Sequence, residues 1–107
     1  MRDIAWHGTR LNEPPWSDPA ARVLAFTIAG IGNAEEDVHA VLNMSGETIA
    51  AELPVPPSGQ PWRLAVNTAA STPDDIPDRT RQPVVTATTC RVQPRSVVVL
   101  EAPRSAP

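Results

Sequence analysis

Apolar and polar residues alternate in short runs along this chain, and proline and glycine cut one run from the next. From Arg22 to Ala29 the alternation sets Leu24, Phe26 and Ile28 on one side and Val23, Ala25 and Thr27 on the other, the period-two pattern of a strand. Gly30-Ile31-Gly32-Asn33 closes that run, and Glu35-Glu36-Asp37 reads as a solvated acidic turn. A second strand is predicted at Val38–Met44, with Val38, Ala40, Leu42 and Met44 sharing a face. Ser45-Gly46-Glu47 is a tight turn. A third strand follows at Thr48–Leu53, with Ile49, Ala51 and Leu53 inward, and the two are expected to form a hairpin. After the proline-rich loop 54–61, Trp62, Leu64 and Val66 alternate with Arg63, Ala65 and Asn67 as a fourth strand. Residues 69–83 are punctuated by Asp and Pro and read as a long solvated excursion. A fifth, bent strand is expected at Val84–Val92. The turn at Gln93-Pro94 then precedes Ser96–Glu101, an unbroken apolar strand suited to burial on both faces.

Around these runs, residues 1–20 read as an extended, irregular lead-in in which Pro14 and Pro15 keep the backbone open before Trp16, and residues 103–107 as a fraying tail. Helix has little claim on the chain beyond one capped turn at Pro19–Ala25. The pattern predicts an all-β fold, a Greek-key-like antiparallel β-sandwich of about six to eight short strands. All 107 residues would form this one domain.

Composition narrows the functional classes. The hydrophobic share of 41% is that of a folded globule, and 13 prolines suit short strands rather than long helices. Net charge is −3, and the nine basic residues are scattered arginines without a stripe, so nucleic acid is not an expected partner. No apolar run reaches the roughly 20 residues of a membrane-spanning helix, and residues 1–6 lack the apolar core of a secretion signal. The expected setting is cytoplasmic and away from membranes. Cys90, the single cysteine, sits beside a β-branched run and reads as a buried, inert thiol.

Candidate chemistry is sparse. A glycosidase needs two carboxylates on opposite sides of the sugar bond. Glu47 with Glu52, and Asp74, Asp75 and Asp78, are the available acids. The glutamates fall at a turn and on an outward strand position, and the aspartates in a proline-rich loop, so no catalytic residue is assigned. His7, His39 and Cys90 lack metal-ligand spacing, so neither a metal nor a cofactor is expected. Three tryptophans remain among only four aromatics. Exposed indoles can stack on sugar rings, which makes Trp16 and Trp62 candidate carbohydrate-binding residues. Both also read as packing residues, Trp62 through its alternation with core-facing positions and Trp16 as an anchor over a sheet edge. Arg95, just before the last strand, reads as a turn-ordering residue.

Four groups of residues fall in an order that carries a family resemblance. They are Asp3-Ile4-Ala5-Trp6-His7-Gly8 leading to Pro15-Trp16-Ser17-Asp18 and Arg22–Thr27; Val41-Leu42-Asn43 with Glu52-Leu53-Pro54; Trp62-Arg63 through Asn67-Thr68 to Pro73-Asp74-Asp75-Ile76; and Arg95–Leu100. In this order the chain resembles the C-terminal domain of isoamylase-type glycogen and starch debranching enzymes, of the α-amylase superfamily. It departs from the family at Pro15 and Asn67, where acidic residues are usual. The resemblance implies a β-sandwich appended to a catalytic (β/α)8 barrel that holds all the catalytic carboxylates. It implies that Trp6 and His7 contact that barrel and would be partly exposed in an isolated domain. Such a domain would pack on the barrel and stabilise it. The chain would then be either one piece of a larger enzyme or a separately encoded remnant. The alternative is a free-standing module that binds α-glucan through Trp16 or Trp62, and a third reading is an unrelated protein–protein module.

Overall fold

A computed structural model describes residues 4–8, 11, 22–28, 37–55, 61–72, 75–77 and 81–102. Among these are eight strands and no α-helix: β1 Ile4–His7, β2 Val23–Ile28, β3 Asp37–Asn43, β4 Ile49–Glu52, β5 Trp62–Asn67, β6 Val84–Val85, β7 Thr89–Val92 and β8 Ser96–Ala102. Six form one sheet in the order β1-β2-β3-β8-β5-β6, and β4 and β7 form a second. Each strand pair is antiparallel. The all-β, antiparallel, two-sheet architecture expected from the alternation is what the chain adopts.

The core lies between the sheets. Ala25, Val41, Val98, Leu100, Ala102 and Trp62 of the large sheet pack with Ala51, Leu53 and Val92 of the small-sheet side. Ile49 and Cys90 close over the cluster. Strand β8 runs down the middle of the large sheet between β3 and β5, and its apolar sequence matches burial alternating with partial cover on the other face.

Several elements differ from the sequence reading. Ile4–His7 lies in the segment expected to be an irregular lead-in, yet it pairs with β2 as the edge strand of the large sheet. The hairpin expected between the second and third runs does not form. β3 pairs with β2 and β8, while β4 pairs with β7 in the other sheet. Ser45-Gly46-Glu47 is therefore a corner between sheets, not a hairpin loop. The bent fifth run divides in two: Val84–Val85 pairs with β5, and Thr89–Val92 crosses to pair with β4. A chain that changes sheets at a bend makes the corners of a sandwich.

Strand β5 carries a bulge. Leu64 pairs with Leu100, but the next register partner, Val66, faces Val99. One extra residue, Ala65, turns Val66 to the face opposite Trp62 and Leu64. The expectation that Trp62, Leu64 and Val66 share a face holds only up to the bulge.

Which face of β3 is inward also differs from a simple reading of its apolar residues. Asp37, His39, Val41 and Asn43 point into the sandwich and are wholly buried. Val38 and Leu42, with Met44 beyond the strand, face the other way and are only partly covered or exposed.

Candidate functional site

Pairing of β1, β2 and β3 brings together two histidines that lie far apart in sequence. Ala5, Thr27 and His39 stand in one cross-strand row, and His7 stands two residues along β1 on the same inner face. His7 Nε2 lies 2.9 Å from Thr27 Oγ1, and the same hydroxyl lies 2.8 Å from His39 Nδ1. The imidazoles are 5.6 Å apart, and His39 is in turn 5.8 Å from the Trp62 ring. One hydroxyl has a single proton to give and can accept from the other ring, so the row has a directional order set by the two tautomers. His39 Nε2 is buried with no hydrogen-bond partner.

Burial disfavours a charged imidazole here. It lowers the pKa of His7, and burial with the nearby His7 charge lowers that of His39 to about 4. Both rings are therefore neutral near pH 7. Thr27 and His7 are also buried, so the row is sealed between the sheets and positions no group toward a substrate.

A second polar knot sits where β3 ends. Asn43, fully buried, donates through Nδ2 to the carbonyls of Glu47, Val92 and Gln93 at 2.8, 3.1 and 3.0 Å. Its Oδ1 accepts from the backbone N–H and the hydroxyl of Ser45. Arg95 takes a left-handed φ of 51° in the turn before β8, and its N–H donates to the Ser45 carbonyl. These bonds fix the corner where the chain leaves the large sheet for the small one.

The tryptophans divide. Trp62 is 3% exposed, belongs to the core, and donates Nε1–H to the Pro54 carbonyl at 2.8 Å. Its ring is enclosed, which agrees with packing and offers a sugar no face to stack on. Trp16 lies outside the described residues. Trp6 and His7 are neighbours on β1 with opposite fates. Trp6 is 38% exposed and tilts against Phe26 with ring centres 5.5 Å apart. His7 is 3% exposed. The partial exposure expected of both residues is found at Trp6 alone.

Glu47 and Glu52 are exposed, and Glu52 Oε1 accepts the Leu11 N–H. Asp75 accepts from Thr72 Oγ1 and its carbonyl accepts from the Asn67 N–H, so it is tied to the end of β5. Asp74 and Asp78 lie outside the described residues. Among the described residues no three His, Cys, Asp or Glu gather as metal ligands. Cys90 is half-buried rather than buried as expected, and its partial burial pushes the thiol up.

Sequence reasoning missed the His7–Thr27–His39 row because neither histidine has a partner at motif spacing. The available signal was phase: His39 alternates with Val41 and Asn43, opposite to Val38, Ala40 and Leu42.

The family of isoamylase 1–3 C-terminal domains matches this chain over residues 5–98. The chain is also similar to isoamylase 2, chloroplastic, of Oryza sativa subsp. japonica. The two are 28% identical over 79 residues, which cover 68% of this chain and 10% of the rice protein. The chain thus spans about a tenth of the length of that curated relative.

Proposed function

The chain belongs to the family of isoamylase 1–3 C-terminal domains, and from that membership we propose that it is the non-catalytic accessory domain of an isoamylase-type α-1,6-glucan hydrolase. Its work is to pack on the catalytic (β/α)8 barrel and stabilise it. The observation that carries this reading is the extent of the family match, which runs through residues 5–98 of a chain corresponding to a tenth of the rice relative.

The finer form of the proposal makes the parent a cytoplasmic enzyme of glycogen debranching, which fractionation of the source cells would check. The accessory role is tested in two steps. An immunoblot against these residues should find a polypeptide several times heavier than 107 residues would give. Deleting them from that polypeptide should lower its thermal midpoint and hasten loss of glucan hydrolysis on heating. A deletion that left stability and activity unchanged would overturn the reading.

A further inference from the structure

The outer face of the large sheet, turned away from the core cluster, is apolar over much of its width. Cross-strand pairing puts Trp6 beside Phe26, Phe26 beside Ala40, and Ala40 beside Val99 on the outer face. A flanking row runs Ile4, Ile28 and Val38, and on the other side Leu24, Leu42 and Val97 line up. None of these residues joins the core cluster, and of the ten Ala40 alone is buried, beneath its larger neighbours. Ile4, Trp6 and Ile28 are 37, 38 and 40% exposed.

An antiparallel sheet with one face in water sets polar residues on that face, whereas here the outer face is apolar over β1, β2, β3 and part of β8, and the polar residues His7, Thr27, Asp37, His39 and Asn43 lie on the inner one. A contiguous apolar patch of that kind marks an interaction surface. Charge enters the face at Glu101 and Arg63, which pair across β8 and β5, and there Gln82 Nε2 donates to Glu101. Among the described residues, the neighbours of Trp6 by register on this face are Ile4, Phe26 and Ile28, all apolar. A sugar site sets polar groups around its aromatic platform to take the hydroxyls. The described neighbours of Trp6 instead have the composition of an interface centre, an aromatic anchor among apolar side chains.

We infer that the outer face of the large sheet, centred on Trp6 and Phe26, is the surface through which this domain docks on the folded remainder of an isoamylase-type polypeptide. The partner's chemistry is an apolar protein surface without matching charge. The rice relative has nine-tenths of its length outside the matched segment, ample chain to supply that surface. This inference rests on the accessory reading and adds to it which side of the sandwich faces the hydrolase.

Acrylamide quenching of tryptophan fluorescence tests it. The signal of Trp6 is isolated as the difference between the natural protein and its Trp6→Phe variant. It is measured in the 107-residue chain and in the full polypeptide that carries it. Docking through this face should make Trp6 about fivefold less quenchable in the full polypeptide, since an interface centre excludes water. Equal quenching in both, with the full polypeptide still destabilised by deleting residues 1–107, would mean that the domain docks by another side. The face would then be wrong and the accessory role would stand. Shielding of Trp6 that rises with concentration in the 107-residue chain alone would assign the face to a second copy and overturn the inference. A native polypeptide of only 107 residues, with no hydrolase associated, would overturn the accessory reading and this inference together.

Discussion

Thr27 Oγ1 and His39 Nδ1 lie 2.8 Å apart inside the sandwich, across the pairing of β2 and β3. The bond holds a fully buried imidazole whose other nitrogen has no hydrogen-bond partner. A proton added to His39 would place an uncompensated charge between the sheets, which is why its pKa falls to about 4. The unfolded chain binds that proton near pH 6.5 and the folded chain does not. Stability from neutral His39 is therefore full above about pH 6.5, declines as pH falls toward 4, and levels off below. Holding a histidine at about 4 rather than 6.5 corresponds to on the order of 3 kcal/mol over that window. Urea unfolding at successive pH values should show this slope in the natural chain and a flatter one in His39→Gln. Equal slopes would show that His39 does not govern the acid limit.

The shared hydroxyl can be tested by itself. Thr27→Val keeps the shape of the side chain and removes the group that both imidazoles meet. Leaving buried polar atoms without that partner should cost about 1–3 kcal/mol. Thr27→Ser retains the hydroxyl and should recover most of the loss. A denaturation midpoint for Thr27→Val equal to that of the natural chain would exclude any net contribution from the row.

Asn43 is the residue at which the large sheet hands the chain to the small one. Its amide hydrogens are shared among three carbonyls, and its oxygen holds the start of the corner at Ser45. Asn43→Ala should destabilise by about 3 kcal/mol or more, because a buried network is broken and its partners cannot all reach water. Asn43→Asp should be worse still, since it turns a carboxylate oxygen toward three carbonyl oxygens. Thermal unfolding of both variants checks the order. An aspartate variant as stable as the natural chain would mean that the corner does not depend on these bonds.

How much of this was legible in the sequence follows from which forces are local. Period-two alternation located β2, β3, β4, β5 and β8 because every strand of a layered fold must sort its side chains between two faces. Pairing was not local. The Ser45-Gly46-Glu47 turn looked like a hairpin loop, and only the Asn43 bonds to Val92 and Gln93, about fifty residues on, explain why the chain turns a corner there. The inward face of β3 was hidden for a related reason. Its outward residues are as apolar as a core, while inward Asp37, His39 and Asn43 are polar, and His39 and Asn43 bond to Thr27, Val92 and Gln93 on other parts of the chain. At β5 the bulge reversed the phase at Val66 with no glycine to announce it. The family resemblance was legible from short groups in order. The contrast between Trp6 and His7 was not, since it depends on β1 joining the sheet edge.

Trp62 and Trp6 should respond oppositely to replacement. Trp62 fills the space between the sheets and binds the Pro54 carbonyl. Trp62→Ala should cost about 3–5 kcal/mol, the usual loss for truncating a buried aromatic. Trp62→Phe should keep the fold at lower stability, because it gives up both volume and the indole N–H. Trp6 lies on the outer face, where more than a third of its surface is open. Trp6→Ser should shift the 107-residue chain by about 1 kcal/mol or less, as partly exposed positions usually do, yet lower the thermal midpoint of the full polypeptide. Retention on a glycogen column separates these effects from sugar binding. A Trp62→Phe chain that folds should be retained no differently from the natural one, because an enclosed indole has no surface to offer a glucan. If Trp62→Phe abolished retention while circular dichroism showed an intact fold, the packing assignment of Trp62 would fail and the glucan-binding alternative would take its place.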